Sequence, residues 1–269
     1  MRTLTLVTLL LAVPLGGAAC GSVSAGDDDP ADARPGGGDD GDPGDQEDAA
    51  VEVLCAEGMA YIPGGTYEMA DEPGEVTIEP FCMDITHVTS AAYADCVSCS
   101  ATETTTECNA GVGNRTQDPA NCLDLAQAEF YCESVDKFVP NEAQWEWAAR
   151  GGEAANPYAW GDDPPVEDDD RLCWFFGRDD VAFPGRPSGS CPVGFYDQKE
   201  TQPFGLEDMT GNVWTWTTSE GSAPANRVVR GGGWDNTMAN RMRTGFRNDV
   251  IPATVRDQHL GFRCAADPL

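Results

Sequence analysis

The sequence predicts an α+β domain with little regular secondary structure: two main helices early, then short antiparallel strands joined by long loops. Three observations carry this. Helical spacing of apolar residues is confined to the stretch from about residue 90 to 150. Beyond it only short strand patterns appear. Gly (30) and Pro (19) recur so often that long helices cannot dominate the 269 residues.

Residues 1–19 hold one early positive charge, Arg2, then an apolar run from Leu4 to Leu15, then the small residues Gly16 to Ala19. This is the pattern of an export signal, too short to anchor stably in a bilayer. The small residues before Cys20 resemble a bacterial lipoprotein cleavage site, which makes Cys20 the expected first mature residue and the lipidation site. Secretion after cleavage near Ala19 is the other reading. Residues 20–50 have no large apolar side chain after Val23, so they cannot bury enough surface to offset chain entropy and read as an acidic, disordered tether. The body is expected over residues 51–269.

The formal charge of −30 argues against nucleic acid and against an anionic membrane surface, leaving a lipid anchor as the expected membrane contact. The tether segment 25–50 carries a net −9 and residues 51–269 a net −22, so the body is acidic in its own right. Apart from Cys20 there are ten cysteines, at positions 55, 82, 96, 99, 108, 122, 132, 173, 191 and 264. An even number in an exported chain implies up to five disulfides. Cys96-x-x-Cys99 is also a zinc or redox spacing, but no second pair stands at ligand distance and no His is near, so disulfides are preferred.

Met59 to Ala70 reads as strand, Gly64-Gly65 turn and strand, and Val76 to Phe81 as another strand. Thr89 or Ser90 caps a short helix through Tyr93 to Val97. Residues 98–121 form a loop clasped by cysteines. A helix follows from Asp124 to Val135, with Leu125, Ala128, Cys132 and Val135 on one face. Asn141 opens the next, with Gln144 in the capping-box position, and Gly151-Gly152 stops it. Residues 153–204 are turn-rich, and short strands lie near 213–217, 227–230 and 260–264. In Gly205 to Thr217 a tight turn at Gly211-Asn212 feeds a strand whose Trp214 and Trp216 share one face and cross the core.

The segment PNEAQWEWAARGG is similar to PTEAEWEYAARGG of the formylglycine-generating enzyme (sulfatase-modifying factor) family. Further matches follow in that family's order: MAYIPGGTYEMA, VTIEPFCMDITHVTSAAYADCV, YAWGDD, PVGFYDQKETQPFGLEDMTGNVWTW, RVVRGGGW and LGFRCA. Together they cover roughly residues 53–267. The resemblance implies a C-type-lectin-like fold. It also implies a chemistry: family enzymes oxidise a client cysteine to formylglycine with O2 and a copper ion held by two thiolates just after the Trp of the RGGSW segment. Here Trp234 is followed by Asn236 and Arg241 about where those thiolates belong, and no cysteine lies between Cys191 and Cys264. A soft thiolate pair suits Cu(I), whereas a guanidinium donates only N–H. Met238 and Met242 read as packing residues. No copper and no formylglycine-generating activity are expected. A related branch uses non-haem iron on three histidines, and this chain has only His87 and His259. His259 reads as a surface or loop residue.

The resemblance further implies a structural Ca2+ on Asp208, the carbonyls of Gly211 and Val213, and Thr215, where Asp replaces the usual Asn and Thr the usual Glu. It implies a Cys132–Cys264 disulfide. Cys173–Cys191 and pairing within Cys96, Cys99, Cys108 and Cys122 are candidates, with the partners of Cys55 and Cys82 open. Loops around Trp234, Asp235, Asn236, Arg241, Arg243 and Arg247 stand where the active family holds its client peptide. Three clustered arginines point to an anionic ligand; internal ion pairs of Arg243 and Arg247 are the structural alternative. The expected function is a non-catalytic binding module on the bacterial cell envelope, for an extracytoplasmic protein, peptide or glycan. The alternative is an oxidoreductase-type enzyme of the same family with divergent chemistry.

Overall fold

Backbone pairing in the computed structural model, which describes residues 55–71, 73–102, 108–167, 169–174, 189–196 and 204–269, builds three small sheets beside three helices. The leader and the tether lie outside the described residues. The body is one compact unit, Ala50–Leu269.

β1 (Met59–Ile62) pairs antiparallel with β4 (Phe81–Asp84), which pairs with β9 (Ala265–Ala266); β2 (Gly65–Glu68) pairs with β3 (Glu75–Ile78). The Gly64-Gly65 turn therefore passes the chain between two sheets and does not close a hairpin. Only glycine fits there: a Cβ on Gly64 would meet the Ile78 carbonyl oxygen at 2.5 Å, and one on Gly65 the Trp147 ring at 2.5 Å. The single strand expected over Val76–Phe81 is two, because Pro80 lacks an N–H and has a fixed φ, and stands between β3 and β4.

α1 (Ser90–Asp95) is capped by the Thr89 side chain, which accepts from the Ala92 N–H at 3.1 Å, and it ends two residues short of Val97. α2 (Leu125–Ser134) and α3 (Glu142–Ala149) both open with reciprocal capping boxes, Asp124 with Gln127 and Asn141 with Gln144. Leu125, Ala128 and Cys132 are buried as their spacing predicts, whereas Val135 ends the helix and is exposed.

The third sheet runs β7-β6-β5-β8, from β5 (Trp214–Glu220), β6 (Asn226–Arg230), β7 (Arg247–Pro252) and β8 (Leu260–Gly261). β5 and β8 are parallel, a departure from the all-antiparallel expectation. β7 escapes the sequence reading because an edge strand spelled RNDVIP has no apolar alternation to display. The strand expected over 260–264 divides into β8 and β9, which serve different sheets.

Trp214 and Trp216 do pack into one cluster, with Tyr93, Leu123, Tyr131, Phe262 and the Cys132–Cys264 pair. Thr215 and Thr217 are fully buried as well, so β5 is covered on both faces. Their hydroxyls are satisfied: Thr215 Oγ1 lies 2.9 Å from His87 Nε2, and Thr217 donates to the Val228 carbonyl at 2.8 Å. Burial, then the Arg263 charge, holds His87 well below its usual pKa. A second cluster gathers Ile62, Phe81, Met83, Trp145 and Trp147.

Among the described residues two arginines are fully buried. Arg230 Nη2 donates to Glu142 and Glu146, each at 3.0 Å. Arg263 donates to four backbone carbonyls, those of Asp84, Ile85, Glu207 and Asp208, and burial pulls its pKa down to about 10. Five disulfides use all ten cysteines from Cys55 onward. Cys132–Cys264 and Cys173–Cys191 form as expected, and Cys55–Cys82, Cys96–Cys99 and Cys108–Cys122 complete the set.

Candidate functional site

The turn before β5 sets the geometry of the site. Asp208, Gly211 and Asn212 all have left-handed backbones, with φ of 52°, 82° and 57°. Asn212 is held there because its side chain bonds both the N–H and the carbonyl of Cys191, each at 3.2 Å. Its backbone carbonyl accepts the Trp234 N–H at 2.8 Å, and the Gly231 carbonyl accepts the Gly211 N–H at 3.0 Å. The turn thus pins the start of the Trp234 loop. Gly231 has no room for a side chain: a Cβ would lie 2.6 Å from the Met209 carbonyl oxygen.

That loop borders a cavity of about 200 Å³. Trp214, Val229, Ile251, Val255 and Leu260 give it apolar walls, and Asp235, Asn236, Arg241, Asn248, Asp257 and His259 give it polar ones. His259 Nδ1 lies 2.6 Å from Asp257 Oδ1 and its Nε2 lies 3.3 Å from Asp235 Oδ2. The imidazole is also 4.9 Å from the Trp234 ring. The His259 hydrogen bond lowers the Asp257 pKa against the opposing effect of burial. Asn236 is buried: its side chain accepts from the Gly233 N–H at 3.1 Å and donates to Asp235 at 3.2 Å, and Trp174 Nε1 donates to its carbonyl.

Of the six expected pocket residues, the cavity brings together Asp235, Asn236 and Arg241, with Trp234 behind His259. Arg247 belongs elsewhere: it is paired with Glu142 at 2.9 Å and with Asp249 at 3.3 Å, the internal ion pairing that was the alternative. Arg243 points into a different cavity, over the Tyr158 ring. The three-arginine cluster read from sequence is therefore dispersed, and the cavity holds two carboxylates and one guanidinium. Sequence reasoning missed Asp257 and His259 as its wall. The signal was an Asp two residues before a His: in the turn ahead of β8 the Asp257 side chain accepts the His259 N–H at 2.8 Å, which brings the two side chains together.

The copper that the family implies does not fit here. Asn236 and Arg241 are both in the cavity wall, and every described cysteine is in a disulfide. Cys173 and Cys191 do share a buried cluster with Trp234, but as a disulfide their sulfurs are bonded to each other. For calcium, Asp208 Oδ2 accepts the Gly194 N–H at 2.8 Å and the Asn212 side-chain N–H at 3.3 Å, and the Thr215 hydroxyl faces His87. One carboxylate, the Gly211 and Val213 carbonyls and an engaged hydroxyl make a lean donor set for an ion that prefers 6–8 oxygens.

Residues 46–268 match the family model described as sulfatase-modifying factor enzyme 1-like domain. The chain is 28% identical to the inactive C-alpha-formylglycine-generating enzyme 2 of Bos taurus over 77% of this chain and 87% of that one. It is 27% identical to a formylglycine-generating enzyme of Streptomyces coelicolor over 81% and 92%. Among solved structures it resembles PvdO from Pseudomonas aeruginosa, with a TM-score of 0.60, 23% identity and coverage of 78% and 94%. Treponema denticola variable protein 1 gives a TM-score of 0.61 at 19% identity, with coverage of 78% and 95%.

Proposed function

We propose, from the premise that this chain belongs to the family of sulfatase-modifying factor enzyme 1-like domains, that it is a non-catalytic binding module. The observation that carries this is the chemistry at the copper positions: Asn236 and Arg241 stand there, and all ten cysteines of the body are in disulfides. The kinship with mammalian proteins named as inactive members supports it. Five disulfides support an oxidising compartment, in keeping with export and a lipid on Cys20.

The cavity supports a ligand of particular shape. Apolar walls of Trp214, Ile251 and Val255 suit an aliphatic stem, and Asp235 and Asp257 suit a positive head at its end. About 200 Å³ is room for one side chain, so a basic residue of a protein or peptide partner fits better than the anionic group read from the arginines. Asp257→Asn is expected to weaken a lysine- or arginine-bearing peptide about tenfold by titration calorimetry, the scale of one charge-assisted hydrogen bond. Equal binding of acidic and basic peptides would defeat the ligand assignment. Separately, the purified chain with copper, O2 and a Cys-x-Pro-x-Arg peptide is expected to form no aldehyde by mass spectrometry. Any aldehyde above a copper-only blank would defeat the non-catalytic reading.

Calcium enters this reading as a weak structural ligand of Asp208 and the Gly211 and Val213 carbonyls. With a dissociation constant of about 1 mM, 5 mM Ca2+ would stabilise by about 1 kcal/mol. That is about 2–4 °C in melting temperature for a body of this size, reversed by EDTA. A melting curve indifferent to both removes calcium from the account.

A further inference from the structure

The Cys96–Cys99 disulfide plays no part in the binding reading. We propose that it is a thiol–disulfide exchange site for a neutral or cationic dithiol client.

Five observations converge on it. Among the five disulfides formed by the described cysteines, it is the one with neither partner fully buried; each of the others includes a cysteine no more than 3% exposed. The intervening Val97 is fully exposed, so the turn at the end of α1 faces solvent, with the two cysteines half-buried beneath it. Both cysteines line a cavity of about 380 Å³ with apolar walls from Tyr93, Ala94 and Ala101, a surface on which a client segment can rest. Cys96 also borders a second cavity, with Asp95, Tyr131 and Val135, where its sulfur lies 3.7 Å from the Ser98 hydroxyl and 3.6 Å from that of Ser134. The pair is only three residues apart, so opening it releases the smallest closure in the molecule and leaves the fold in place.

The exchange balances without a further reagent. A client thiolate attacks Cys96 Sγ, the S–S bond breaks, and Cys99 leaves as a thiolate that takes a proton from water. The second thiolate of the same client then attacks the client sulfur of the mixed disulfide, releasing Cys96. Two electrons pass from client to protein; the client departs as a disulfide, and Cys96 and Cys99 remain as thiols. Cys99 is the better leaving group. A thiolate on Cys96 would sit beside Asp95 at the carbonyl end of α1, where negative charge is disfavoured. The same Asp95, on a chain of charge −30, repels anionic thiols.

The test exposes the oxidised full-length chain to glutathione or to cysteamine at equal thiolate concentration. N-ethylmaleimide quenches the reaction, and peptide mapping locates the adducts. The expected product carries the small thiol on Cys96 and maleimide on Cys99, with the other four disulfides intact. Cysteamine is expected to react about tenfold faster than glutathione at low salt, and 0.5 M NaCl to shrink that ratio. Dithiothreitol is expected to be oxidised by one equivalent per chain before any other disulfide opens. Adducts appearing equally on the other pairs, adducts on Cys99, or no adduct until urea unfolds the chain would each overturn the proposal. The Cys96→Ala/Cys99→Ala variant is expected to melt about 4–8 °C below the parent, still folded at the assay temperature, and to lose the early dithiothreitol oxidation. Oxidation persisting in it would also overturn the proposal.

Discussion

Replacing Arg230 with Met is expected to cost about 3–5 kcal/mol and to lower the melting temperature by about 6–20 °C. The guanidinium is fully buried between β6 and α3 and donates to both Glu142 and Glu146. Removing it takes the guanidinium from Glu146 Oε2, on a side chain 1% exposed, and leaves that carboxylate with Arg150 at 3.6 Å and the Ala70 N–H at 2.9 Å, both on its other oxygen. Glu142 keeps Arg247, so most of the cost falls on Glu146. A cycle of Arg230→Met and Glu146→Gln separates the pair from the packing and should show a coupling above about 1 kcal/mol. Urea unfolding reads all four corners. A loss below 1 kcal/mol in the single variant would mean that water or protonation relieves the carboxylates, and the network would not be the strut described here.

Replacing Cys132 and Cys264 together with Ala should be comparably severe, about 4–5 kcal/mol or about 8–20 °C. The bond spans 132 positions and joins α2 to the segment entering β9. Cross-linking so long a loop removes much of the unfolded chain's freedom. Alanine is the right replacement because both sulfurs are fully buried and serine would add unpaired hydroxyls. The Cys96→Ala/Cys99→Ala variant is the internal comparison, since the same relation gives only about 2 kcal/mol for its short ring. Equal losses from the two variants would show that closure length does not govern disulfide stability in this chain.

Much of this was readable beforehand, for reasons that attach to particular residues. Asp124 with Gln127 and Asn141 with Gln144 are local signals, and the helices begin where those pairs say. The want of copper ligands was equally local, because Asn236 and Arg241 can be counted off from Trp234. The cavity was not local. His259 meets Trp234 and Asp235 because β8 lies parallel to β5, a pairing of two residues that no periodicity announces. Arg243 and Arg247 sit four apart in sequence yet face different surroundings, since the chain leaves a 3-10 turn at Met242 and enters β7 at Arg247. Proximity in sequence suggested one arginine cluster, and a change of backbone geometry separated it.

The closing stretch from Leu260 to Ala266 contributes β8, Arg263, Cys264 and β9, and so touches two sheets, α2 and the Asp208 turn. A ribosome delivers those seven residues after nearly everything they fasten. The emerging polypeptide therefore cannot complete any described sheet but β2-β3 until those seven residues have been made.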